Sequence, residues 1–169
     1  MIERSRLIVE TAYALWEAGD LRSMMNCFSD SVAFAVHPPS LTSFVGQGRG
    51  RPLLRRRLER FLSEYEVVDY QTVGMTTRAD WIDCRICYHY RHRKTGMEID
   101  GRMRHLWRVV GGKIVRLDIV HDARRMGAFF DLAATPSASL GAAGAGVDRR
   151  RCLCVRADVA IDAARHERQ

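Results

Sequence analysis

From residue 101 to residue 122, apolar and polar positions alternate almost without a break. Met103, His105, Trp107 and Val109 fall on one parity and Arg102, Arg104, Arg108 and Val110 on the other, the two-residue period of a strand with unlike faces. Gly111-Gly112 supplies a hairpin turn, and Lys113 to His121, rich in Ile and Val, returns as a second alternating strand. His105 and His121 therefore share one face of a hairpin, near Trp107 and Asp122.

Upstream the period changes. Between Ile2 and Ala18, Leu7 or Ile8, Ala12, Leu15 and Trp16 recur at helical spacing. Gly19-Asp20 stops that helix and caps a short second one from Leu21 to about Phe28. Val32, Phe34 and Val36 alternate as a strand that must end before Pro38-Pro39, and the glycine-containing stretch 40–50 reads as a loop. Pro52 suits the first turn of a third helix reaching about Tyr65. Its Leu54, Leu58, Phe61 and Leu62 face a core, and Arg55, Arg56, Arg57 and Arg60 form the solvated side. Strands follow at Val67–Met75, Trp81–His92 and Met97–Ile99, with turns at Asp80, at Lys94-Thr95-Gly96 and at Asp100-Gly101. In the second of these strands Ile82, Cys84, Ile86, Tyr88 and Tyr90 share a face. A terminal helix is expected from Arg124 to Leu132. This order gives an α+β fold with helices gathered on one face of an antiparallel sheet.

The chain has 169 residues, of which 47% are hydrophobic and 28% charged, enough for one compact domain. Beyond Leu132 the sequence turns to small and flexible residues, so the domain is assigned to 1–132 and a flexible basic tail to 133–169. The tail holds six Arg against four acids, so it does not carry most of the net charge of +7. The basic residues lack aromatic interleaving or a nucleic-acid module, and a nucleic-acid partner is not expected. No run reaches the length of a membrane span and the N-terminus lacks an apolar leader, which predicts a cytoplasmic protein without membrane contact. Five cysteines, an odd count, read as reduced thiols.

Several segments together resemble the SnoaL-like branch of the nuclear transport factor 2-like superfamily, a group related to polyketide cyclases and ketosteroid isomerase. They are WEAGD at 16–20, CFSDSVAF at 27–34, HPP at 37–39, FVGQGRGRPLL at 44–54 and HLWRVVGGKIVRLDIVHD at 105–122. The resemblance implies a cystatin-like cone, a strongly curved antiparallel sheet closed by N-terminal helices. It also implies a pocket inside the cone and a homodimer formed through the outer sheet face. The partner it implies is a small apolar or cyclic molecule, handled as in a cyclase, isomerase or hydratase without a cofactor. A non-catalytic dimerisation or partner-binding module is the other reading, because fold alone does not fix activity.

Enzymatic relatives carry an inward acid on the last strand, and here that position falls on Ile119. Asp118 and Asp122 point to the opposite face of a regular strand. His105 is read as a general base or hydrogen-bond donor that titrates near neutrality, or as a structural histidine satisfied by a neighbour. His121 either brackets a ligand oxygen together with His105 or caps the strand end. Asp122 either orients an imidazole or serves as the N-cap of the terminal helix. Tyr13 is read as a candidate hydroxyl donor on the first helix, as in the isomerases this chain resembles, or as a core residue beside Ala12 and Trp16. Trp16, Phe28, Phe34, Tyr88, Trp107 and Ile119 are read as pocket or core lining. Cys84, Cys87, His89 and His92 are close in sequence, but on a strand the two thiols project to different faces, so no metal site is assigned. No phosphate loop, nucleophile elbow or dinucleotide fingerprint is present.

Overall fold

The computed structural model describes residues 2–37, 46–78, 80–122 and 124–128. The tail assigned to 133–169, the end of the terminal helix and most of the loop after Pro38 lie outside the described residues. The elements are α1 (Ile2–Glu17), α2 (Leu21–Met25), β1 (Phe28–His37), β2 (Gly48–Arg49), α3 (Arg51–Glu64), β3 (Tyr65–Arg78), β4 (Trp81–His92), β5 (Glu98–Val110) and β6 (Lys113–His121). A helical turn over 124–128 follows β6.

Helix α1 buries Val9, Ala12 and Tyr13 and leaves Leu7 exposed, the stripe expected of an amphipathic helix with Ile8 rather than Leu7 turned inward. Asp20 caps α2 by accepting from the Ser23 backbone N–H at 2.9 Å. That helix ends at Met25 rather than near Phe28, because the Phe28 backbone already pairs with Ile114 in the sheet.

Six strands form one curved, open sheet in the order β2-β1-β6-β5-β4-β3. All neighbours are antiparallel except β1 and β6, which run parallel. Gly48-Arg49, within the stretch read as loop, pairs with Phe34 and Ala33 as a two-residue edge. Curvature comes from irregularities in β3, whose register slips between Val67 and Asp69 and again between Thr72 and Gly74. Each slip inserts an unpaired residue, bends the strand and raises its twist. The helices cover the concave face, where α1 contacts β5, β3 and β6 and α3 contacts β1 and β3.

Asp100-Gly101 is not a turn. The pair lies inside β5, with Asp100 opposite His89 and Gly101 opposite Tyr88, so Met97–Ile99 and the hairpin strand join into one element. The glycine serves close approach. A Cβ at Gly101 would stand 2.7 Å from the Tyr88 hydroxyl oxygen, and Tyr88 is fully buried with its hydroxyl donating to Met126 Sδ at 3.1 Å. The ring therefore has little room to yield. Gly101→Ala is expected to destabilise the fold by about 1–3 kcal/mol through overpacking. Urea denaturation should show a lower midpoint at an unchanged slope.

Candidate functional site

Strand parity carries His105, Trp107, Ile119 and His121 to the concave face, as the alternation predicts. His105 pairs with Ile119 and Met103 with His121, so the two imidazoles are diagonal neighbours on adjacent strands. Both are buried, at 6% and 7% exposure. From above, α1 inserts Tyr13 against them. Trp107 Nε1–H donates to Tyr13 Oη at 2.8 Å, and Tyr13 Oη lies 3.0 Å from His105 Nδ1.

The directions of these bonds follow from the donor inventory. An indole N–H can only donate, so the Tyr13 oxygen is an acceptor toward Trp107 and its own O–H is free to donate onward. Imidazole nitrogen is a much better acceptor than the neighbouring Cys84 sulfur, so the phenol donates to His105 Nδ1. His105 is then the tautomer with hydrogen on Nε2. That atom is buried and has no hydrogen-bond partner among the described residues, an arrangement that native interiors rarely leave without a purpose.

The electrostatics agree with a neutral pair. Burial, with a smaller contribution from the neighbouring His121, pushes His105 down to about 3, and burial pushes His121 down to about 4. The sequence-based expectation of titration near neutrality is therefore corrected: desolvation disfavours the charged imidazole, and Ile119 supplies no negative charge to oppose it. The same burial raises the Tyr13, Tyr70 and Tyr90 phenols well above their ordinary range and pushes the Cys84 thiol up to about 11.

The two imidazoles and the Tyr13, Tyr70 and Tyr90 phenols line a cavity of about 60 Å³ together with Trp16, Phe28, Met103, Trp107, Leu117 and Ile119, with Ala12, Met24, Leu58 and Phe61 completing it. No carboxylate is among the lining residues. A second, outer chamber of about 480 Å³ is lined by Glu17, Leu21, Glu66, Val67, Val68, Asp69 and Arg93 among others. Trp16 and Tyr70 belong to the walls of both.

Three of the candidate residues sit elsewhere. Asp122 is exposed and accepts from the backbone N–H groups of Arg124 and Arg125 at 3.0 and 3.2 Å, so it caps the terminal helical turn rather than orienting an imidazole. Phe34 is core beneath β2, outside the cavity lining. Tyr88 also lies off the cavity, with its ring edge-on to His121 at 5.6 Å between centroids. Asp118 points outward, as its parity requires, and binds Arg116 and His37. Cys84 and Cys87 are buried on opposite faces of β4, while His89 meets Glu98 and His92 meets Thr95.

Of the lining residues not assigned to the pocket from sequence, Tyr90 was placed on the shared face with Ile82, Cys84 and Ile86 and was legible on that ground. Tyr70 was not. It reaches the concave face only because the slip at Val68 reverses the parity of β3 after Val67.

The SnoaL-like domain family matches residues 9–117, and the chain belongs to that family. No curated protein matches it by sequence. Solved structures share the fold. A nuclear transport factor 2-like protein from Burkholderia thailandensis is similar at 22% identity and a TM-score of 0.65, over 77% of this chain and 96% of that one. A protein of ketosteroid isomerase-like fold from Catenulispora acidiphila, in complex with trimethylamine, is similar at 16% identity and a TM-score of 0.61, over 72% and 89%. TerC, co-crystallised with polyporic acid, is similar at 14% identity and a TM-score of 0.64, over 78% and 99%.

The depressed histidines make stability pH-dependent. Unfolded imidazoles bind protons below about pH 6.5, whereas the folded ones resist protonation down to about 3 and about 4. Protons thus favour the unfolded chain, and the stability present above about pH 6.5 is lost as pH falls toward the folded values. The loss reaches up to about 1.4 kcal/mol per pH unit for each histidine. Melting temperatures recorded from about pH 7 down to about pH 5 should fall in wild type and fall less steeply in His121→Leu. Equal slopes would refute this account.

Proposed function

We propose that this SnoaL-like protein binds a small, mainly apolar molecule through a hydrogen-bond acceptor, in the cavity beneath α1. The observation that carries this reading is the buried Nε2–H of His105, without a partner among the described residues, on a mainly apolar and aromatic wall. A carbonyl oxygen satisfies that donor, and the surrounding aromatic side chains suit a cyclic body. Structural relatives that hold polyporic acid or trimethylamine support small-molecule binding in this fold.

The same geometry suits proton transfer beside a carbonyl without a cofactor. His105, neutral at physiological pH, polarises the oxygen and stabilises the negative charge that develops on it. His121, neutral and of about the basicity of a carboxylate, takes the role that relatives give to the acid replaced here by Ile119. It removes the proton from the carbon next to the carbonyl, the C–H electrons pass into the enolate, and the imidazolium returns the proton to carbon. Asp122 has no part in this scheme.

A second reading rests on the outer sheet face and coexists with the first. Trp81, Leu106 and Val120 line a shallow groove there, bordered by the paired charges of Asp83 with Arg104 and of Asp118 with Arg116. An apolar centre within a polar border is the anatomy of a protein interface, and a second copy of the chain is the occupant proposed.

Each reading has a direct test. Wild-type protein should accelerate deuterium exchange at the carbons next to the carbonyl of cyclohexanone, followed by NMR in heavy water. His105→Ala should lower that rate by roughly 100-fold while the protein stays folded by circular dichroism. Loss of rate that appears only with loss of fold would count against a direct role. For the outer face, Leu106→Arg, flanked by Asp83 and Asp118, should leave the fold intact and halve the mass measured by light scattering. An unchanged mass would remove this face as a dimer contact.

A further inference from the structure

The inner cavity of about 60 Å³ has room for only a few waters, since each needs roughly 10–15 Å³. As it stands it does not admit a ring, so even a single-ring ligand such as cyclohexanone enters only as its wall yields. The outer chamber of about 480 Å³ is large enough, but its walls include none of the imidazoles. What divides the two is a pair of side chains. The Trp16 and Tyr70 rings stand edge to face at 6.1 Å. Tyr70 lies 6.4 Å from the His105 ring and 6.2 Å from the Tyr13 ring, so it touches the imidazole site on one side and Trp16 on the other.

Trp16 belongs to the last turn of α1, where its carbonyl accepts from the Gly19 backbone N–H at 2.9 Å. Tyr70 lies on the edge strand β3, between the two register slips. Trp16 Nε1 is moreover buried without a hydrogen-bond partner among the described residues. Two donors without a partner among the described residues, His105 Nε2–H and Trp16 Nε1–H, thus belong to side chains that line the inner cavity.

We propose that Trp16 and Tyr70 form an internal gate, and that the ligand is an elongated neutral molecule spanning both chambers. Its acceptor-bearing ring lies in the inner cavity and its second apolar ring in the outer chamber, against Val67 and Val68. When the gate opens the two chambers merge into a site of ligand size. The freed Trp16 N–H then donates to the same acceptor group or to a second one. This inference rests on the ligand-binding reading above and adds ligand length and the role of Trp16 to it.

The test uses three probes on the full chain: cyclohexanone, cyclohexyl phenyl ketone and the hydrocarbon cyclohexylphenylmethane, measured by titration calorimetry. The long ketone should bind at least about tenfold more tightly than cyclohexanone, through the second buried ring. Trp16→Phe keeps a ring in the gate and removes the N–H. It should weaken the long ketone by roughly three- to tenfold and leave the hydrocarbon unchanged. Val68→Trp, at an exposed position of the outer chamber, should weaken the long ketone and spare cyclohexanone. If both ketones bind wild type alike and neither variant separates them, the gate is refuted while the ligand-binding reading stands. If no ketone binds wild type and cyclohexanone exchange is also absent, both fall together.

Discussion

The hydroxyl of Tyr13 ties the two layers of this fold together. Its oxygen accepts from Trp107 and its proton goes to His105, so one phenol fixes where α1 sits on the sheet and which nitrogen of the imidazole carries hydrogen. A chain of three oriented groups in a dry interior is stronger than its separate links. It is also directional: the indole can only donate, and every later assignment in the site follows from that. A neutral imidazole offering an N–H to an apolar space is the end of this chain, and burial keeps it neutral where a solvated imidazole would titrate.

The rest of the site depends on departures from regular strand geometry. A flat, regular β3 would present Asp69 to the concave face in line with Val67. The slip at Val68 turns Tyr70 inward instead and leaves Asp69 opposite His89 outside. Gly101 lets the Tyr88 ring lie across β5, where any side chain would collide with it. The cavity is therefore shaped by one unpaired residue, Val68, as well as by the residues that line it.

These departures mark the boundary of what was legible in the sequence. Alternation placed His105, Trp107, Ile119 and His121 on one face, and helical spacing with the Gly19-Asp20 stop placed α1 and the α2 cap. Asp118 was assigned outward by parity and is outward. Asp122 had two readings, and its contacts with the Arg124 and Arg125 amides select the cap. Tyr70 was lost because parity assumes an unbroken strand. Asp100-Gly101 was misread as a turn because a glycine after an acid looks the same whether it bends the chain or makes room for a ring. Histidine titration was misjudged for a different reason. A pattern shows that a residue faces inward, but not how completely water is excluded around it.

The one parallel contact in the sheet has a bearing on how the molecule comes to exist at all. β1 is made first by the ribosome, yet its central partner, β6, is the last strand of the domain: Phe34 waits for Leu117. Strands β4, β5 and β6 by contrast follow one another through short turns, the cheap closures that form early. The antiparallel meander from β3 to β6 is thus built from local closures, whereas the β1–β6 pairing spans most of the domain. A chain that ends before residue 113 already holds the Trp107 and Tyr70 rings against which Tyr13 packs, but it leaves β1 without its central partner and so bares a strand edge from Ala33 to His37, the kind of edge that recruits other chains.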